Sequence, residues 1–218
     1  MTLKIFAIVP VKRFENGKSR LAPLLSTVER VKLCELLLDD TLYTLKKTCA
    51  ISEVIVVSSD KRAEKIAKVY GASFLIEYKE GGVNTAVAIA DNYCKRADVD
   101  ASIVIPQDLP LMTSRDIDII CKSSEEYEKC MIICPSLRYD GSNALLRKPS
   151  LLIKTYYDNN SFGMHITAAK EIGAILKIIH LPRIMIDLDT IDDARNLTKE
   201  STMSQSILYL RNKLNDRF

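Results

Sequence analysis

Two kinds of side chain in this 218-residue sequence stand where they could hold and move charged groups: cations crowded into one short segment, and carboxylates at two distant points. The segment PVKRFENGKSR, residues 10–20, carries Lys12, Arg13, Lys18 and Arg20 around one glycine, Gly17. That density of positive charge directly after an apolar run suits a grip on phosphate; its plainer reading is a solvated basic loop. Gly17-Lys18-Ser19 looks like the end of a P-loop, but the glycine that motif needs five residues earlier is Lys12, which excludes a Walker-type ATPase. The acids are Asp108, in PQDLPL after a β-branched run, and Asp187, Asp189, Asp192 and Asp193 in DLDTIDD. Asp192 and Asp193 are explained by the dipole and capping of a helix start. If extended chain persists through residue 189, Asp187 and Asp189 point the same way about 6.6 Å apart. Asp108 is then either a turn aspartate or, with Asp187 or Asp189, a ligand of Mg2+, which takes few hard protein oxygens when it also binds phosphates.

What the chain lacks narrows the chemistry. It has two histidines, His165 and His180, and no Ser-His-Asp or Cys-His pattern. His180 lies in an apolar run and reads as structural; His165, four residues after Ser161, either flanks a ligand or serves the surface or cap of a helix. The reaction must therefore need few proton transfers, and phosphoryl or nucleotidyl transfer meets that condition because positioning and charge neutralisation drive it. A phosphomonoester acceptor, with a second pKa of about 6, presents an ionised oxygen at pH 7 without a general base.

Broader composition excludes other classes. A net charge of +3 and 6% aromatic residues without tryptophan argue against nucleic acid as the partner. With 47% apolar and 27% charged residues, a single domain spanning 1–218 with one sizeable core is expected. No run approaches the roughly 18–20 uncharged apolar residues of a membrane span, and no signal pattern opens the chain, so a cytoplasmic protein without a membrane partner is the expectation. The six cysteines have no CxxC spacing and read as buried reduced thiols. A homodimer is left open.

Strands and helices must bring these groups together. Apolar runs predict strands over Lys4–Val11, Glu53–Ser58, Ala72–Glu77, Ala101–Ile105, Met131–Ser136, Ile175–His180 and Arg183–Leu188. Helices are expected from the capping box Ser26-Thr-Val-Glu29, over about Asp60–Tyr70 up to Gly71, from about Asn84 to Arg96, from Thr113 to about Ser123, from near Ser161 to Gly173, and from Thr190. Residues 138–147 and 151–157 read as irregular. Alternation of this kind implies an α/β fold, a mainly parallel mixed sheet flanked by helices on both faces, with ligands outside the carboxyl ends of the strands. Glycine is scarce, seven in 218, and Gly17, Gly81, Gly82 and Gly141 all fall on that rim, where close backbone approach to a ligand is expected.

At these residues the sequence resembles a known family. VPVK with GKSRL (9–21), PQDLPLM (106–112), RYDGSNALLRKP (138–149), NSFGMH (160–165) and DLDTIDDA (187–194) together are similar to the 2-phospho-L-lactate guanylyltransferases of coenzyme F420 biosynthesis in archaea, in order over nearly the whole chain. The wider resemblance is to the nucleotide-diphospho-sugar transferase fold, which is GT-A-like. The resemblance implies transfer of GMP from GTP to the phosphate of 2-phospho-L-lactate, with release of pyrophosphate. It implies Asp108 and Asp189 as Mg2+ ligands with Asp187 as second choice, and Lys12, Lys18 and Arg20 on the triphosphate. Backbone at Pro10, Val11, Gly82 and Pro106 would bound the guanosine, with Asn84 beside it. Asn143 and Ser161 match positions that hold the acceptor's phosphate and carboxylate. This chain has Tyr157-Asp158 where relatives usually have Phe-Gly, and Asn143 where threonine is frequent; relatives use phosphoenolpyruvate or 3-phosphoglycerate as well. Two other classes compete: a metal-dependent GT-A-type glycosyltransferase, and a non-catalytic nucleotide-binding subunit.

Overall fold

The computed structural model describes residues 3–157 and 160–215; Asp158, noted above as a departure from the family pattern, lies outside the described residues. Ile5–Val11 forms β1, buried along its whole length, as a strand covered on both faces must be. It pairs in parallel with β2 (Glu53–Ser58) on one side and with β4 (Ala101–Val104) on the other, and β3 (Ser73–Ile76) continues the sheet beyond β2. β5 (Cys130–Pro135) and β7 (Ile175–Ile178) extend it past β6 (Ser142–Lys148), giving the order β3-β2-β1-β4-β6-β5-β7. Among the described residues only β6 runs against the rest, antiparallel to β4 and β5.

Alternate residues of each strand feed two different cores. Ile5, Ala7, Val9 and Val11 pack under α1 (Thr27–Lys46), α2 (Lys61–Tyr70) and α4 (Ser114–Lys122). Phe6 and Ile8 pack under α3 (Val83–Arg96) and α5 (Ser161–Glu171). The far side of α1 carries a third cluster with α7 (Ile191–Leu197) and α8 (Gln205–Asn215). The expected capping box at Ser26–Glu29 is formed, Thr113 caps α4 as expected and does so in a capping box with Asp116, and Gly71 closes α2 at φ 71°. The α/β sheet with helices on both faces is thus the fold of this chain.

Three readings need correction. Residues 138–147 are not irregular: their second half enters β6, whose buried polar residues Ser142, Asn143 and Arg147 masked the strand pattern. Arg183–Leu188 is no strand; Pro182 starts a short helix, α6 (Pro182–Met185), and residues 186–189 after it belong to no helix or strand. Cys49 is exposed, while the other five cysteines are buried free thiols. Of the rim glycines, Gly17 and Gly141 line a cavity at the carboxyl end of the sheet and Gly82 lines a slot beside it. A Cβ on Gly17 would come within 2.5 Å of Cys34 Sγ, so that glycine lets the basic loop lie against α1, while Gly82, at φ 84°, turns the chain into α3.

Candidate active site

The carboxyl ends of β1 and β4 are neighbours whose connections leave in opposite directions, β1 to β2 on one side and β4 to β5 on the other, and such a switch point opens a crevice at that end of the sheet. Two loops cross it. After β4 the chain turns at Pro106 to Asp108, whose carbonyl accepts from Leu188 N–H at 3.0 Å and so ties the two acidic segments together. Asp193 Oδ2 accepts the N–H groups of Asp189 (3.1 Å) and Thr190 (2.7 Å) as part of the capping box of α7, which fixes the Asp189 backbone. Leu188 is buried, and Asp187 and Asp189 flank it on the cavity side.

The basic loop after β1 is two short 3-10 turns, Phe14–Asn16 and Ser19–Leu21, hinged at Lys18 in a left-handed conformation (φ 50°). Asp60 anchors it: Oδ2 accepts Phe14 N–H at 3.1 Å, and Arg62 bonds both Asp60 and Glu15 while lying over the Phe14 ring. Lys18 Nζ is thereby delivered between the acids, 2.6 Å from Asp108 Oδ2 and 3.0 Å from Asp189 Oδ1, with its side chain 7% exposed. Burial pushes the ammonium pKa down, but the two carboxylates outweigh it and raise the pKa above the ordinary lysine value, so the group stays charged. Burial and then the negative charges of Asp108 and Asp189 raise Asp187 to about 6, which puts the three acids in one neighbourhood. Arg138 stands 3.8 Å from Asp187, and the exposed Arg20 reaches Asp189 at 3.5 Å.

Lys18, Arg20 and the three acids line a cavity of about 410 Å3, within the size range of small-ligand sites. Of the residues singled out from the sequence, Pro10, Lys12, Lys18, Arg20, Pro106, Asp108, Asn143, Ser161, Asp187 and Asp189 line it. Val11 and Gly82 line a narrow adjoining slot that shares Pro10, Lys12 and Val83 with the cavity and is floored by the buried Glu77. Asn84 is not on either wall; its Oδ1 accepts Tyr157 N–H at 2.8 Å and pins the segment that carries Tyr157. Neither histidine faces the cavity. His165 is fully buried, and His180 lies exposed beyond β7, its ring 5.9 Å from that of Tyr139.

Because β6 runs backwards, its first residues arrive at the same rim as the ends of β1 and β4. Asn143 there donates both amide hydrogens, to Ile184 O (2.9 Å) and Met185 O (3.3 Å), which steadies α6 and leaves only its carbonyl oxygen uncommitted. Ser161 Oγ, in the first turn of α5, accepts Ser142 N–H at 2.9 Å and donates to Ser142 Oγ at 3.3 Å.

Residues 5–215 match the family described as guanylyl transferase CofC like. The chain belongs to that family. Its relatives include a phosphoenolpyruvate guanylyltransferase of Conexibacter woesei, 31% identical over 88% of this chain and 86% of the relative. A 2-phospho-L-lactate guanylyltransferase of Methanobrevibacter smithii is 29% identical over 95% of this chain and 89% of its own. A 3-phospho-D-glycerate guanylyltransferase of Colwellia psychrerythraea is 30% identical over 95% and 96%. Among solved structures, a nucleotide-diphospho-sugar transferase-type protein of Desulfovibrio desulfuricans superposes with a TM-score of 0.77 over 98% of this chain and 95% of that one, at 14% identity, which concerns the fold alone.

In this guanylyl transferase-family chain the acid pair suits a hard divalent ion. Asp108 and Asp189 each place an oxygen within 3.0 Å of one cationic nitrogen, so a second cation can be shared between them. No group of three His, Cys, Asp or Glu forms a closed cage among the described residues, and Mg2+ on a nucleotide does not need one, since it keeps waters and takes phosphate oxygens. Sequence reasoning missed Ser142 and Tyr157 as cavity residues. Ser142 was hidden in the segment read as irregular, whereas the proline-flanked Asp108 and the basic loop announced themselves by composition.

Proposed function

We propose that this protein is a guanylyltransferase that moves GMP from GTP to the phosphate of a small phosphorylated carboxylic acid and releases pyrophosphate. Phosphoenolpyruvate, 2-phospho-L-lactate and 3-phosphoglycerate are the candidate acceptors, and coenzyme F420 biosynthesis is the setting the family resemblance implies. The observation that carries the reading is Lys18, buried, charged and held between Asp108 and Asp189 at the foot of a basic loop.

An oxygen of the acceptor phosphate attacks the α-phosphorus of GTP; the bond to the bridging α–β oxygen breaks and pyrophosphate leaves with its electron pair. Lys18 and the more exposed Lys12 and Arg20 face the triphosphate and stabilise the charge that develops on departing pyrophosphate. Asp108 and Asp189, with Asp187 beside them, would hold Mg2+. When bound, Mg2+ supplies charge neutralisation on the phosphate oxygens. Ser161 and Asn143 sit at the opposite wall, where the acceptor would lie. No side chain has to remove a proton, because the acceptor's phosphate is ionised above its second pKa of about 6.

The test is purified protein with Mg2+ and each nucleoside triphosphate, offered the three acids in turn, with pyrophosphate measured. Pyrophosphate release that requires GTP and one of the acids is expected, with a rate that falls below about pH 6. Sugar transfer without pyrophosphate release, or nucleotide binding without turnover under any acceptor, would overturn the proposal.

A further inference from the structure

The acceptor wall holds a hydrogen-bond chain whose direction can be worked out. Tyr156 N–H lies 2.9 Å from His165 Nε2, and a backbone N–H can only donate, so Nε2 is the acceptor. A neutral imidazole then carries its proton on Nδ1, which stands 2.9 Å from Ser142 Oγ and must donate to it. Burial, and then the positive charge of Arg147, depress the His165 pKa to about 4, so the ring is neutral at neutral pH. Ser142 Oγ accepts a second hydrogen bond from the Ser161 hydroxyl at 3.3 Å. Both lone pairs of Ser142 are therefore engaged, and its own hydrogen is the part still uncommitted. Ser142 is 4% exposed, and that residual surface lines the cavity.

Its neighbours on the wall are spent. Asn143 has both amide hydrogens on the carbonyls of α6, and Ser161 uses its proton on Ser142. Of these three wall side chains, only Ser142 has a hydrogen left to donate; the Tyr157 hydroxyl, on another part of the lining, is itself buried.

We propose that the Ser142 hydroxyl donates to an anionic oxygen of the phosphorylated acid and fixes its seat, and that His165 acts as a positioning residue, its Nδ1–H tautomer turning the Ser142 proton toward the cavity. Neither role falls to a catalytic base: His165 does not reach the cavity, and Ser142 stays un-ionised. Burial explains the arrangement. A hydroxyl whose lone pairs are both satisfied behind the wall cannot accept from solvent or repel an anion with an exposed lone pair, so it presents only its positive end. The inference rests on the transferase reading for the identity of the ligand but not for its geometry.

Steady-state kinetics with phosphoenolpyruvate and GTP varied separately test it in Ser142→Ala and Ser142→Thr. The alanine variant should raise the KM for phosphoenolpyruvate roughly tenfold or more, as expected for a hydrogen bond lost to a charged group. The KM for GTP should change less than about twofold, since the hydroxyl serves only the acid. Threonine, which keeps the hydroxyl, should restore most of the loss. An unchanged acid KM in Ser142→Ala, or equal losses for both substrates, would overturn the proposal. A second measurement stands apart from any variant: 15N spectra of imidazole-labelled wild type should show Nδ1 protonated and Nε2 bare at neutral pH, with the Nδ1 resonance moving when phosphoenolpyruvate is added. An Nε2–H tautomer, or no response to phosphoenolpyruvate, 2-phospho-L-lactate and 3-phosphoglycerate alike, would also sink it. If the acid binds with this Ser142 dependence and no GMP is transferred, the transferase reading fails and the seat stands.

Discussion

Two side chains, one in the site and one behind its wall, show how position decides chemistry. Lys18 is charged because two carboxylates surround it, and it keeps those carboxylates close because it is charged. Lys18→Ala removes the counter-ion of the acid pair and, on the proposed function, the grip on the triphosphate, so kcat/KM for GTP should fall more than tenfold, ~1.4 kcal/mol or more; an unchanged value would reduce the basic loop to a solvated surface. His165 shows the opposite case, a titratable group whose charged form the fold refuses. The unfolded chain takes up its proton near the ordinary value of 6.5, the folded protein near 4, so stability is whole above about pH 6.5 and declines as pH falls through that window. The full loss amounts to about 3 kcal/mol, and about 2 kcal/mol of it falls between pH 7 and pH 5. Urea unfolding at those two pH values should show a wild-type loss larger by that amount than the loss in His165→Gln; parallel losses would mean the ring is not buried neutral.

At the scale of elements, loops and short turns hold the charged groups of the site, and each is tied to something rigid. The basic loop hangs on Asp60, which also caps α2 and pairs with Arg62. Asp60→Ala should cost about 2 kcal/mol through the lost cap and the unpaired buried Phe14 N–H. Thermal unfolding would register roughly 4–8 °C for a chain of this size. The same variant should raise the KM for GTP, because Lys18 depends on the loop; a stability loss without any kinetic change would show that the loop holds its shape unaided. Helix starts were legible because Ser26, Thr113 and Thr190 carry their capping partners three residues on. The strand β6 was not, since burying Ser142, Asn143 and Arg147 breaks the apolar pattern that marks a strand, and the partners that make this burial affordable lie elsewhere in the chain. The apolar run after Arg183 misled in the other direction: Ile184 and Met185 are buried by a single helical turn, which needs no sheet partner.

Across the whole molecule, Arg147 joins layers that are distant in sequence. Fully buried in β6, it bonds Asp91 of α3 through both terminal nitrogens, Ser102 of β4, and the carbonyl of Ile153. Arg147→Ala leaves Asp91 without its counter-ion and should cost about 3–5 kcal/mol, whereas the double change Arg147→Met with Asp91→Leu should cost less than the single one. Chemical unfolding of the two variants decides; a double variant no better than the single would mean that the bonds to Ser102 and Ile153 carry the stability. From the sequence alone came the alternation of strand and helix, the side of the sheet where chemistry collects, and the cationic and acidic segments, because apolar periodicity, capping and local charge density are written within a few residues. The tertiary structure alone decided that Lys18 lies between Asp108 and Asp189, that His165 faces inward, and that a serine at the start of an unrecognised strand reaches the cavity wall. Such contacts join residues 23 to 171 positions apart, and a hydrogen bond or ion pair across that separation depends on backbone geometry that no local pattern encodes.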